Sequence, residues 1–438
     1  MTVVAVSDDS VRSAPSRADA KRATLAASVG NFVEWFDFGF YGYLATTIAS
    51  VFFPGEDPVA RLLATFAVFA AAFGVRPLGA VYFGSVGDRI GRSRVLVVTI
   101  LLMSGATFLV ALLPGYRDIG VAAPLLLLAL RLVQGFAAGG EPGGAATFLT
   151  EYAPAGRRGR YASMWHVSSF AALICSSGLV LLLTAVTTPE QMLAWGWRVP
   201  FLLALPAGFI GLYIRLKVED TPEFRRLEAA SETAAAPARE VLGRDGGAVV
   251  RTLLVAAVQQ FGFYTIFVYL ASFLQVQAGF SAGAGTAVTM LTVVVAMVVV
   301  TPFGALSDRV GRRPVLVWSC VALAVAAVPL MHVAATGAFA LALLAAAVLT
   351  VPLGAFMGAA AATFPEQFNT RRRYAGMSLG FGLASAAFGG TAPYLSTWVA
   401  DRLSDPIAPG YLLVAFALVS LAASLTLKET AHRRLDQL

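Results

Sequence analysis

Charge is scarce in this chain: Asp, Glu, Lys and Arg make up 13% of its 438 residues, against 58% hydrophobic side chains. Too little polar surface is left to cover a water-soluble domain of that length, and the mean hydropathy is +0.74. The chain therefore reads as a membrane protein. Cysteine is nearly absent, and because Cys175 and Cys320 both fall inside apolar runs, a disulfide framework and a CxxC metal site are excluded. Three scattered histidines (His166, His332, His432), with no HExxH and no GxSxG, leave a membrane-embedded enzyme without a ligand set or an activated nucleophile. No metal and no cofactor is expected. The Lys and Arg excess of 7 sits in short loops and tails rather than in a basic stripe interleaved with aromatics, which excludes a nucleic-acid surface. Residues 1–21 are polar and lack an apolar core ending in a small-residue cleavage site, so no signal peptide is expected.

What the chain has in abundance is long apolar runs. Windows long enough to cross a bilayer number about twelve between residues 24 and 427, broken most widely by a charged stretch that holds Glu219, Asp220, Glu223, Arg225 and Arg226. The expected organisation is an all-α membrane protein of twelve transmembrane helices in two six-helix halves. Its parts are a tail at 1–23, an N-terminal bundle at 24–216, a linker at 217–249, a C-terminal bundle at 250–427 and a tail at 428–438. On the side of the N-terminus lie 26 of the 32 basic residues, so both termini and the linker are expected in the cytoplasm.

One segment is written twice. Gly84-Ser-Val-Gly87-Asp88-Arg89-Ile-Gly91-Arg92 returns as Gly304-Ala-Leu-Ser307-Asp308-Arg309-Val-Gly311-Arg312, at a constant offset of 220 residues. Each copy joins two apolar runs on the basic side, which predicts a tight loop and two halves of like design. A second echo supports this: Arg160-Tyr161-Ala162 returns as Arg373-Tyr374-Ala375 at a similar offset of 213. Asp88 and Asp308 can each meet a helix N-terminus, while Arg89, Arg92, Arg309 and Arg312 can meet Glu151, Glu366 or lipid phosphate, so these loops are expected to latch the cytoplasmic side. Ordinary positive-inside loops would account for the arginines, but not for the repeated order.

An ionisable group inside a span is costly unless paired or wet, so each is a candidate for function. Glu34, Asp37 and Tyr41 recur at i, i+3 and i+7 and share one helical face. Both carboxylates fall roughly 15 to 20 Å along the first span, near mid-membrane, and Arg76 on the second span lies at a similar depth. Such a cluster can hold a proton whose release depends on what else is bound, or it can be a permanent ion pair fastening two helices. On the fourth span Arg131 and Gln134 share a face, with Glu141 nearer the basic side. Arg131 is the first candidate for a solute carboxylate, since a guanidinium stays charged and presents a planar fork of donors. Glu141 suits a proton relay or a packing pair equally, and His166 suits packing. Gln259, Gln260, Tyr264 and Tyr269 on the seventh span either line a cavity or bond between helices.

At these residues the chain resembles a known family. The two Gly-x-x-x-Asp-Arg-x-Gly-Arg loops are similar to the signature loops of the major facilitator superfamily. More narrowly, Gly30-Asn31-Phe-Val-Glu34-Trp35-Phe-Asp37-Phe, Arg76-Pro77-Leu78-Gly79, Gln134-Gly135 through Gly139-Gly140-Glu141, Trp195-Gly196-Trp197-Arg198-Val-Pro200-Phe201, Phe364-Pro365 and Gly389-Gly390-Thr-Ala-Pro393 resemble the metabolite:proton symporter family. The likeness runs from about Thr24 to Lys428. It implies the major facilitator fold, two pseudo-symmetric bundles that alternate access to a central cavity, and proton-driven import of a small organic solute by a functional monomer. The family's solutes are carboxylates such as 2-oxoglutarate, citrate and shikimate, or zwitterions such as proline and glycine betaine. The stretches Asp37 to Tyr43 and Trp195 to Phe201 look closest to the proline/betaine branch; this sequence departs from that branch's osmosensory member in ending soon after Lys428-Glu429-Thr430. On this reading Arg131, Arg76, Tyr41 and Gln134 hold the solute, and Glu34, Asp37 and Glu141 carry the proton, whose gradient supplies the energy. The alternative is a proton-driven exporter, against which stands the lack of a Gly-Pro-Gly-Gly segment in the fifth span.

Overall fold

The computed structural model describes residues 31–435 apart from 33–34, 37, 91, 140–143, 152, 155, 217–236 and 370–372, and among these described residues the long apolar helices are grouped as α1 to α12. The first, α1, is described at 31–32, 35–36 and 38–43 and continues as Ala45–Phe52. Next come α2 (Pro58–Gly74 and Arg76–Ile90), α3 (Arg92–Leu112), α4 (Ala122–Ala138, then Gly144–Glu151), α5 (Arg158–Ala162 and Met164–Val186) and α6 (Arg198–Leu216). The second half holds α7 (Pro237–Tyr264, Thr265–Tyr269, Leu270–Val276), α8 (Ala282–Val310), α9 (Arg312–Ala334), α10 (Phe339–Glu366), α11 (Arg373–Ala384, Ser385–Gly389, Ala392–Leu403) and α12 (Ala408–Leu425). Among the described residues, eight helices are long and apolar enough to span a membrane, and two shorter apolar ones, Val97–Leu112 and Ala122–Ala138, accompany them.

The helix ends follow local chemistry. Asp57 accepts from the Val59 N–H ahead of Pro58, and Ser281 accepts from Ala284 N–H at the start of α8. A single residue, Gly311, separates α8 from α9, and its φ of 104° is a backbone state that side chains with a Cβ rarely adopt. That requirement explains the last glycine of the repeated segment. The seventh helix begins at Pro237, earlier than the expected 250, because a short lead-in precedes a kink at Asp245.

Contacts between helices repeat when six is added to each number. The pairs α2–α4, α3–α4 and α3–α6 of the first half match α8–α10, α9–α10 and α9–α12 of the second. Across the halves, α5–α8 matches α11–α2. This is the pseudo-symmetry expected from the duplicated loop. In α7 89% of the apolar window is buried, against 35–50% in the other long apolar helices, so α7 lies between the halves while the others turn one flank to lipid. Leu101, Leu109, Trp318 and Val325 are among the exposed apolar side chains on those flanks.

Glycine sets how closely α2 and α4 approach. A Cβ on Gly79 would land on the Phe136 carbonyl oxygen, one on Gly135 on that of Ala72, and one on Gly139 on that of Arg76. These positions exclude any side chain. Gly135→Ala and Gly79→Ala are each expected to destabilise by roughly 1–3 kcal/mol through overpacking, read as a lower melting temperature in detergent. Gly74→Ala, with nothing within 4 Å of its added Cβ, serves as control and is expected to leave the melting temperature unchanged or raised.

Candidate functional site

Two polar assemblies interrupt the apolar interior, one at the face that carries the repeated segments (the motif face) and one near mid-membrane. At the motif face, α8 crosses the start of α5 with Gly304 against Gly159, where an added Cβ on either would strike the other's backbone. Asp308, one turn further along α8, therefore reaches the first turn of α5. Its Oδ1 accepts from Gly159 N–H at 2.8 Å and its Oδ2 from Arg160 N–H at 3.0 Å. A carboxylate there meets unsatisfied amides and the positive end of the helix dipole. Gly-x-x-x-Asp is thus a close-approach residue followed by a cap, and the helix it caps belongs to the other half.

Arginines and Glu366 complete the knot. Arg312 donates to Asp308 at 2.8 Å and, through Nε and Nη2, to Glu366 at 3.2 Å each. Arg158 of α5 pairs with the same carboxylate at 3.1 Å, so Glu366 joins the two halves. Beside it Arg373 pairs with Glu151 at 3.0 Å, again across the halves. Arg309, expected to share in this, lies exposed at the end of α8, because the helical turn that points Asp308 inward points its neighbour outward. The side chains of Asp88, Arg89 and Arg92 lie outside the described residues.

The C-terminal segment closes over the knot. Arg158 Nη2 donates to the carbonyls of Thr430 (2.8 Å), Ala431 (3.2 Å) and Arg433 (2.8 Å), and Thr430 Oγ1 donates to Glu366 at 2.5 Å. Glu429 accepts from the N–H groups of Arg312 and Arg313 at the start of α9. Burial pushes the Glu429 carboxyl up, but the backbone donors of Ala431, Arg312, Arg313 and Thr430 outweigh it and hold the group below the ordinary carboxylate range. This contribution to stability is present above the unfolded-chain value and is lost as pH falls through the lower folded value. Sequence spacing gave no role to Arg158, Glu429 or Thr430. Their partners are far away in the chain, and Lys428-Glu429-Thr430 reads there only as the end of the last span.

Near mid-membrane, Arg131 and Arg76 are both buried and both turn to α1. Arg131 lies over the Tyr41 ring at 3.9 Å and 5.5 Å from that of Phe38, while Arg76 lies 4.4 Å from Phe38 and 3.9 Å from Phe73. The two cations therefore flank the Phe38 ring of α1. Glu34, Asp37 and Glu141 themselves lie outside the described residues. Arg131, Gln134 and Tyr41 come together as expected, but their polar atoms are turned into the first half. Arg131 Nη1 donates to Gln134 at 2.8 Å, Gln134 donates to Thr107 at 2.5 Å, and the Tyr41 hydroxyl donates to the Thr65 carbonyl at 2.9 Å. Phe69 stacks on Tyr41 and meets Tyr264 of α7 beyond it. Arg76 stands nearer the second half, since Phe73 packs directly on Tyr264 at 5.2 Å. Asn31 was not singled out by spacing, yet it ties α1 to α5 by accepting from Trp165 and donating to Ser168 and Ser169, all at 2.8 Å. His166 is buried between the rings of Trp165 and Phe170, in keeping with packing.

Two helical halves, locked at one face by capped helix ends and joined at mid-depth by aromatic contacts around buried cations, define a two-bundle membrane carrier. The model of the Major Facilitator Superfamily matches residues 27–390. The proline/betaine transporter of Salmonella typhimurium is 35% identical over 425 residues, covering 95% of this chain and 85% of that one. The citrate-proton symporter of Klebsiella pneumoniae is 38% identical over 408 residues, covering 92% and 90%. In fold, the chain is similar to the proton:xylose symporter XylE bound to 6-bromo-6-deoxy-D-glucose, with a TM-score of 0.75 at 15% identity over 95% of this chain and 98% of that one. The chain belongs to the major facilitator superfamily.

Removing one partner of a buried ion pair costs roughly 3–5 kcal/mol. Asp308→Asn is accordingly expected to reach the membrane at normal level and to transport at less than a tenth of the normal rate. Arg309→Ala, outside the knot, should transport normally. Equal loss in both variants would show that the face needs only its charge.

Proposed function

We propose that this chain is a proton-coupled symporter that imports a small carboxylate-bearing solute across the cell membrane by alternating access, working as a monomer with both termini in the cytoplasm. The orientation is supported by the basic residues, 26 of 32 of which fall on the side of the N-terminus. The class of solute is supported by the relatives, one named for proline and betaine and one for citrate, which share a carboxylate as their common feature.

The observation that carries the reading is the convergence of Arg76 and Arg131 on the ring of Phe38, the residue next to Asp37 in the sequence. A solute carboxylate arriving beside two buried cations changes the charge felt by any proton-carrying group near them. Arg76 is the better placed of the two to meet that anion, because Phe73 and Tyr264 link it to the space between the halves. Arg131, held by Gln134 and covered by Tyr41, is a fixed charge further from that space. Solute carboxylate and proton then compensate one another at Arg76. The doubly loaded site carries the least uncompensated charge, and it is the form in which the bundles exchange sides. Glu141 serves as a relay toward the motif face.

Proteoliposomes with an imposed inward acid gradient test this with labelled citrate and labelled proline. Gradient-driven accumulation of one of them, abolished by a protonophore, is the expected result. Asp37→Asn should lose accumulation while keeping exchange of labelled for unlabelled solute, and Arg76→Ala should weaken solute affinity by about tenfold or more. Accumulation indifferent to the protonophore would contradict proton coupling.

A further inference from the structure

A single buried amide near the start of α1 holds two tryptophan rings. Asn31 is 7% exposed, and its Oδ1 accepts from the indole N–H of Trp165 at 2.8 Å and from that of Trp35 at 3.1 Å. An indole nitrogen only donates, so the oxygen of this amide is the atom that faces both rings. Its nitrogen donates to Ser168 and Ser169 at 2.8 Å each, and the Ser168 hydroxyl donates in turn to the Trp165 carbonyl at 2.8 Å. Both lone pairs and both hydrogens of the amide are thus used. A rotated amide would set its hydrogens against the indole N–H groups.

Both rings reach across to the second half, and they meet different helices there. Trp35 packs on Phe263 of α7 at 4.9 Å, while Trp165 packs edge-on against Phe381 of α11 at 5.3 Å. Phe170 of α5 stacks on the same Phe263 at 6.1 Å and extends the layer. The level of these rings decides what they separate. Trp165 lies six residues along α5 from Gly159, and Trp35 six residues along α1 from Tyr41, each a rise of about 9 Å. The layer therefore stands between the knot, which Gly159 joins, and the cation that rests on Tyr41.

We propose that Asn31 is the positioning residue of an inner gate. Its amide holds the Trp35 and Trp165 indoles as two leaves that close the path from the buried cations to the motif face, and it makes both leave the second half together when the halves part. Because the rings rest on separate helices, either one alone could stay behind and keep the path blocked. A shared acceptor on α1 removes that freedom, since a ring that stays behind leaves a buried N–H unpaired. The proposal goes beyond the symport reading and needs only that the halves part at the motif face.

Fluorine NMR of the full chain carrying fluorotryptophan tests this, with the signals of Trp35 and Trp165 assigned among the six tryptophans by single Trp→Phe changes. In the otherwise unsubstituted protein both signals should be insensitive to replacing water by heavy water. Glu366→Gln, which removes a charge from the knot, should move both to new positions that sense heavy water, with equal populations of the new state. Adding Asn31→Leu should break that equality by about twofold or more, because each ring then follows its own helix of the second half. Uptake of labelled citrate or proline into proteoliposomes should fall about tenfold or more in Asn31→Leu at normal membrane level. The ring signals need no solute, so they decide the gate even where proton coupling fails or neither solute is carried. Equal populations that survive Asn31→Leu, rings that stay dry in Glu366→Gln, or undiminished uptake would overturn the gate. So would a lower melting temperature with the two signals still moving together, which would make Asn31 structural. If Asn31→Leu does not fold, Ser168→Ala combined with Ser169→Ala leaves the amide in place without its two acceptors. The equality should weaken in the same direction there, and its persistence would overturn the proposal too.

Discussion

A carboxylate placed at the start of a helix from the other half of the molecule is the contact on which this structure depends. Asp308 can reach the amides of Gly159 and Arg160 only because Gly304 and Gly159 let α8 and α5 touch backbone to backbone. The same carboxylate orients Arg312, Arg312 orients Glu366, and Glu366 draws Arg158 across from α5. Each charge is desolvated, so each is tolerable only while its partner is present. The charges of the face therefore depend on one another, since removing one leaves its partners buried without compensation.

The mid-membrane contacts are of a different kind. Between the halves they are mostly rings, with Trp35, Phe69 and Phe73 against Phe263 and Tyr264. Ring contacts contribute about 0.5–1.5 kcal/mol each beyond burial and tolerate sliding, whereas the ionic knot does not. Behind the rings, Arg76 and Arg131 rest on aromatic faces, an arrangement that contributes up to about 2 kcal/mol per contact once desolvated. A rigid lock at one face and a compliant, cation-backed interface at mid-depth are what a carrier needs if binding in the middle is to decide when the face opens.

Much of this was legible in the sequence because it is periodic or repeated. Twelve apolar windows and a segment copied at an offset of 220 residues specify twelve helices in two halves, and the helix pairings repeat accordingly. The role of Asp308 at a helix N-terminus and the pairing of Arg312 with Glu366 follow from charge type and position. Rotation and long-range partners were not legible. The family reading grouped Tyr41, Arg131 and Gln134 as solute ligands, but only packing shows that their polar atoms close on Thr65 and Thr107 rather than opening between the halves. Arg158 and the segment from Glu429 to Leu435 joined the lock without any local signal, since their chemistry is completed by residues 62 or more positions away. Arg309 occupies a repeated motif position, yet its side of the helix turns it away from Glu366 and outward.

The measurement that tests this account most directly is the distance between spin labels at exposed Arg157 and Arg309, on either side of the knot, in reconstituted protein. With Glu366 intact and no solute at neutral pH, a single short distance should dominate. Glu366→Gln should add a longer one without any ligand, and in the unsubstituted protein acid and solute together should do the same where neither does alone. One unchanged distance under all these conditions would contradict the claim that the knot is the lock and that charge compensation in the middle releases it.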